Sequence, residues 1–128
     1  MHYETINSFE DACKYLKYDA AAIIPDVTGW PQWLAKFTIS QIKRAVIVLA
    51  INEGKVVDYS DGTLKYEIIF YMDDQSSGFG LSFFDFVYSI SLTYCGSRLS
   101  FFDKNAAKYF ATHENFMELH RDALSATA

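Results

Sequence analysis

The spacing of hydrophobic positions changes twice along the chain. In the first third they recur every three or four residues, as on one face of a helix. Between about residues 64 and 92 they alternate, and after residue 103 the helical spacing returns. Phe9, Ala12, Cys13 and Leu16 form the first stripe, preceded by Asn7-Ser8 and with Asp11 three residues after Ser8. That arrangement predicts a helix from Phe9 to about Lys17, capped by Ser8. Tyr18 to Gly29 reads as a connection, with turn signals at Pro25-Asp26 and Thr28-Gly29.

Pro31 suits the first position of a second helix, where a missing N–H costs no internal bond. Leu34, Phe37, Ile42, Val46, Leu49 and Ala50 form its stripe, and from Ala45 to Ile51 the chain is apolar all round, as at a buried helix end. Val46, Ile47, Val48 and Ile51 are β-branched and would also suit a strand. The earlier periodicity and the glycine stop of Asn52-Glu53-Gly54 favour helix.

After the turn at Ser60-Asp61-Gly62-Thr63, Leu64, Tyr66, Ile68, Phe70 and Met72 alternate with Lys65, Glu67, Ile69 and Tyr71, predicting a strand with two distinct faces. The polar run 73–78 predicts a hairpin loop. In the next run, Phe79, Leu81 and Phe83 share one face, and Phe84, Phe86, Tyr88, Ile90 and Leu92 take the other. A one-residue change of phase is what a β-bulge or a break produces. A short strand follows from Ser97 to Phe101. Asp103 can cap a last helix running to about Leu124, with Ala106, Phe110, His113, Met117, His120 and Leu124 on one stripe. Like elements in runs imply one α+β domain spanning residues 1–128: N-terminal helices, a small antiparallel aromatic-rich sheet, and a C-terminal helix packed on it.

Composition sharpens this picture. Hydrophobic residues make up 51% of the 128 residues and charged residues 21%, so the chain can bury a core without metal or disulfide staples. Eleven aromatics crowd residues 66–102, more than one sheet face can hide, so a second covering is needed: helices, another subunit or a ligand. The net charge of −5 argues against a nucleic-acid partner, leaving Lys36, Lys43 and Arg44 as the only candidate for a local basic patch. Cys13 and Cys95 lack any metal or redox spacing and read as small buried residues of a reducing compartment. With no signal-peptide pattern and no apolar run near the roughly 20 residues of a membrane helix, a cytoplasmic protein is expected.

No constellation of catalytic residues emerges. Ser77-Gly78-Phe79-Gly80-Leu81 has the rhythm of an RNA-recognition strand but lacks its leading basic residue and its partner strand. His113 and His120 fall on one helix face, yet seven residues of helix separate them by about 10 Å, too far to share a metal. Asp58 to Gly62 has the wrong spacing for a calcium loop. No cofactor is therefore expected.

Several motifs in order resemble one family. They are Phe9-Glu10-Asp11-Ala12-Cys13-Lys14-Tyr15-Leu16, Ile24-Pro25-Asp26-Val27, Asn52-Glu53-Gly54 with Asp58-Tyr59, Lys65-Tyr66, Ser77-Gly78-Phe79-Gly80, Gly96-Ser97-Arg98-Leu99-Ser100-Phe101, and Ala107-Lys108-Tyr109 with Phe116. Together they resemble a family of small uncharacterised proteins of Bacteroidetes and their phages or prophages. Lys55 and Tyr59 stand where that family usually carries tryptophans. The resemblance implies a phage or mobile-element context, and with it the host bacterial cytoplasm, and carries no mechanism.

The expectation is therefore a non-enzymatic accessory protein that binds a protein partner or associates with itself. The alternative is a small-ligand or nucleotide-binding domain with an aromatic-lined pocket beside Trp30, Trp33 or the 79–88 strand. Candidate binding residues are Arg98, Phe79, Phe83, Tyr88, Trp30 and Trp33. Arg98, on the short strand before the last helix, can stack on rings or pair with Asp103 or Glu67.

Overall fold

A computed structural model describes residues 2–58, 60, 64–72, 81–89 and 99–124, of which 69–72 and 81–89 by backbone alone. A short 3-10 helix (His2–Thr5) leads into α1 (Phe9–Leu16), α2 (Ala20–Ile23) and the long α3 (Gln32–Ile51). Strands β1 (Lys65–Met72), β2 (Leu81–Ser89) and β3 (Ser100–Phe101) follow. The chain then forms α4 (Lys104–Thr112), a 3-10 turn (Glu114–Phe116) and α5 (Met117–Leu124). This is an α+β fold. The three strands make an antiparallel sheet in the order β2-β1-β3.

The N-terminal signals act as local chemistry demands. Ser8 Oγ accepts the Asp11 N–H at 3.0 Å, and Asp11 Oδ2 accepts the Asn7 N–H at 3.0 Å, so two of the donors a helix start leaves over are satisfied. Phe9, Ala12 and Cys13 then face inward. The expected connection after Tyr18 contains the one-turn α2, which begins where Asp19 Oδ1 accepts the Ala21 N–H. Pro31 sits one position earlier than expected, as the N-cap of α3: its carbonyl accepts the N–H groups of Leu34 and Ala35.

Helix α3 ends as a buried rod. Val46, Ile47, Val48, Ala50 and Ile51 are all buried, and packing on several sides satisfies a segment apolar all round. It stops at Asn52-Glu53-Gly54, where Gly54 donates to the Leu49 carbonyl at 2.8 Å with φ +79°, a conformation that favours glycine. Helix α1 packs on one side of α3 and α5 on another, while α4 lies against all three strands. Between these layers Ile6, Phe9, the α3 end, Phe101, Ala107, Phe110 and Phe116 form one core.

The phase change in the second strand is a bulge. Ile69 and Phe70 are neighbours in β1 but face Asp85 and Phe83 in β2, so Phe84 is the additional residue. Tyr66 and Ile68 pack toward the core, as the alternation requires. On the opposite face of β1, Lys65 is fully buried.

The last helix is broken, and the expected continuous stripe to Leu124 is corrected. His113 adopts an extended backbone (φ −70°, ψ 130°) and its Nδ1 accepts the Asn115 N–H at 3.1 Å, so it ends α4 and caps the next turn. The break turns Phe116 into the core, its ring 5.3 Å from that of Phe110. His113 and His120 therefore do not share a helix face. His120 is fully buried on α5, with Nε2 3.0 Å from the Phe110 carbonyl.

Candidate functional site

Two features of the described surface have the character of sites. The first is an aromatic ledge at the start of α3. Asp26 Oδ1 accepts both the N–H and the hydroxyl of Thr28 (3.0 and 2.6 Å), and these bonds hold its carboxyl below the usual range. Gly29 then takes φ +84°, and Trp30 N–H bonds to the Val27 carbonyl. This turn delivers the chain to Pro31 and so sets where α3 begins.

None of residues 32–39 is buried, and the inward-facing positions of α3 begin only at Ser40. The first two turns are only partly covered, with Leu34, Ala35, Lys36 and Thr38 half-buried. Trp33 is 63% exposed and Phe37 42%, one helical turn apart on the same face, with Trp30 (39%) just before them. These three rings leave roughly 300 Å² of aromatic surface in water, comparable to the largest apolar patch on an ordinary monomer. Lys36 and Asp122, 3.8 Å apart, tie this part of α3 to α5.

The second feature is a half-open cleft of about 310 Å³ between the C-terminal end of α3 and the start of α4. Phe102 lies in its wall with Lys55 Nζ 4.4 Å from the ring centroid. Asn52 donates its amide N–H to the Ser100 carbonyl at 2.8 Å, joining helix α3 to strand β3. Asp103 Oδ2 caps α4 through the Ala106 N–H at 3.0 Å. Glu53 is held at φ +60°, a left-handed conformation that costs a residue with a Cβ about 1–2 kcal/mol. His2 closes the rim, its Nε2 2.8 Å from the Ala50 carbonyl and its ring 4.6 Å from that of Tyr15.

A third, more open hollow of about 520 Å³ lies by Tyr3, Asn7, Tyr109 and His113. Its central polar atom is already engaged: Tyr109 donates to the Ile6 carbonyl at 2.9 Å and lies 2.8 Å from Asn7 Oδ1. Neither hollow is lined by Trp30 or Trp33.

Of the six residues singled out in the sequence, Trp30 and Trp33 stand together on the ledge. Phe83 and Tyr88 occupy β2 positions opposite Phe70 and Tyr66. Phe79 and Arg98 lie outside the described residues. Phe37, Asn52, Lys55 and Phe102 were missed as site residues. A stripe residue such as Phe37 looks like core until the start of α3 is seen to be only partly covered. The cleft joins residues some fifty positions apart, which no local pattern reveals.

The suspected basic patch is also corrected. Arg44 is 6% exposed with a bond to Gln41 Oε1 (2.8 Å), Lys43 lies over the Phe9 ring, and Lys36 pairs with Asp122. No carboxylate pairs with Arg44 among the described residues, and burial lowers its pKa to about 10. Its charge reaches His120 on α5. Cys13 is buried, and burial followed by the charges of Glu10 and Asp19 raises its thiol pKa.

Among the described residues no group of three or more His, Cys, Asp or Glu could hold a metal ion, and no helix is long and apolar enough to cross a membrane. Compared with known protein families, with curated proteins and with solved structures, the chain matches none.

Proposed function

We propose that this chain is a non-enzymatic interaction module, of the phage or prophage type its motifs resemble, which docks through the ledge of Trp30, Trp33 and Phe37. The exposure of Trp33 and Phe37 on one face of the partly covered start of α3 carries this reading. Large aromatics are the residues on which interfaces concentrate their binding energy. Their exposure contributes nothing to the fold and costs solubility, so a docking role accounts for them.

The occupant is a second copy of the chain. Lys36 and Asp122 form a partly exposed ion pair beside the ledge, and its two partners can be exchanged between copies. A two-fold pairing of ledges can therefore set each Lys36 against the other copy's Asp122 while the rings pack between them. The ledge would form the centre of a patch that needs about 800 Å² per partner to be stable.

Sedimentation velocity from micromolar to millimolar protein tests this. Self-association is expected, and Trp33→Ala with Phe37→Ala should weaken it about a hundredfold or more. Folding stability should change by no more than about 0.5 kcal/mol, because neither ring is buried. A monomer throughout that range refutes self-docking. Capture of a different, defined partner that the double variant fails to bind would keep the ledge but reassign its occupant.

A further inference from the structure

The cleft beside Phe102 offers an unusual set of groups, and nearly all of them favour positive charge. The Phe102 ring presents a π face, which attracts cations electrostatically, and Lys55 Nζ already sits 4.4 Å from its centroid. Glu53 and Asp103 line the same space with carboxylates. Asn52 is only 9% exposed, and its amide N–H is spent on the Ser100 carbonyl. Asn52 lines the cleft, and its Oδ1 makes no hydrogen bond among the described residues and is reached by solvent. An acceptor left open at the wall of a cleft is available to a ligand's N–H donor.

We propose that this cleft is a binding site for a primary alkylammonium group, with Lys55 as the built-in occupant that an incoming ammonium displaces. The resident lysine shows the chemistry that fits: an ammonium over the ring face, 4.4 Å from its centroid. An arriving ammonium has three N–H donors, enough to reach Asn52 Oδ1 and one or both carboxylates. Once Lys55 swings into water, the lining carries two negative charges and no lysine. Glu53 is held there in a left-handed backbone, as at many ligand-binding sites. The cleft lies at the opposite end of α3 from the aromatic ledge, about 25–30 Å away along the helix, so it is a separate site. The ammonium can be a free amine or the lysine of a protein segment, which share this chemistry.

The test is a titration followed by backbone amide NMR, using n-butylammonium chloride, the peptide acetyl-Gly-Lys-Gly-amide, and n-butanol as the neutral counterpart. The ammonium is expected to shift the amides of Asn52, Glu53 and Phe102, and n-butanol is not. Lys55→Met keeps the stem and removes the competing charge, so it should bind about threefold more tightly. Phe102→Leu and Glu53→Gln should each bind more weakly, and added salt should weaken binding in every folded protein. Binding of the peptide but not of the free amine identifies a protein lysine as the source, and binding of both identifies the amine class. Equal binding of n-butanol, no tightening in Lys55→Met, or no shift with either ammonium overturns the proposal. Because the ledge plays no part in this titration, its outcome is independent of self-association.

Discussion

Acidification should destabilise this protein through one residue, His120. The ring is fully buried, its Nε2 bonded to the Phe110 carbonyl at 3.0 Å and its centroid 4.8 Å from that of the Phe110 ring, the two planes at 90°. Burial disfavours the imidazolium, the charge of Arg44 adds to this, and the bond to Phe110 opposes both. The result is a pKa lowered from 6.5 to about 4. The unfolded chain takes up the proton near pH 6.5 and the folded chain only near 4. Between those values the unfolded state binds more protons, so stability falls as pH falls. At about 1.4 kcal/mol per pH unit the full loss across the window is about 3 kcal/mol. That is a large part of the 5–15 kcal/mol by which domains of this kind are stable, to order of magnitude. Urea denaturation at steps from pH 7 to 4 measures the loss directly. His120→Gln retains a donor for the Phe110 carbonyl and cannot titrate, so it should start less stable and lose about 3 kcal/mol less over the same range. Parallel pH profiles for the two proteins, or an NMR titration of His120 with a midpoint near 6.5, would refute the reasoning.

Arg44→Met should leave stability unchanged or raise it by about 1–2 kcal/mol, since a desolvated cation without an acid partner is replaced by an apolar side chain of similar length. The same variant should raise the midpoint of His120, and a loss of more than about 1 kcal/mol in urea would contradict the account. Lys17 ends α1 with φ +62°, exposed to solvent. Lys17→Gly should therefore raise the denaturation midpoint by the equivalent of about 0.5–1 kcal/mol, and a drop would mean that the side chain contributes more than its backbone costs.

What the sequence revealed and what it concealed divide by range. Ser8 with Asp11, Asp103 with Ala106, and the stop at Gly54 act within five residues, so residue type and spacing were enough. The bulge was legible for the same reason: a one-residue phase change at Phe84 has few other physical causes. The break at His113 was not, because the helical period runs through it unaltered from Ala106 to Leu124. Only the side chain's capping of Asn115 and the inward turn of Phe116 reveal it. Burial of Arg44 and Lys65 was hidden as well, since charge normally marks a solvated face and only tertiary packing overrides that. The ledge was half-legible. Trp30 and Trp33 stood out as aromatics, but their exposure depends on where α5 stops covering α3.

The Tyr109 hydroxyl bonds to the Ile6 carbonyl, joining residues 103 positions apart, and Phe110 and Phe116 complete the core that holds Ile6 and Phe9. During synthesis, the first helix cannot complete that core until the segment carrying Phe116 has left the ribosome. The nascent chain must keep its early apolar surface in solution for most of its elongation. Closing so long a loop, beyond the earlier packing of α1 on α3, also makes folding slow relative to an α-helical bundle of the same size. Loss of the chain from Tyr109 onward would therefore expose the amino-terminal helices as well as shorten the carboxyl end.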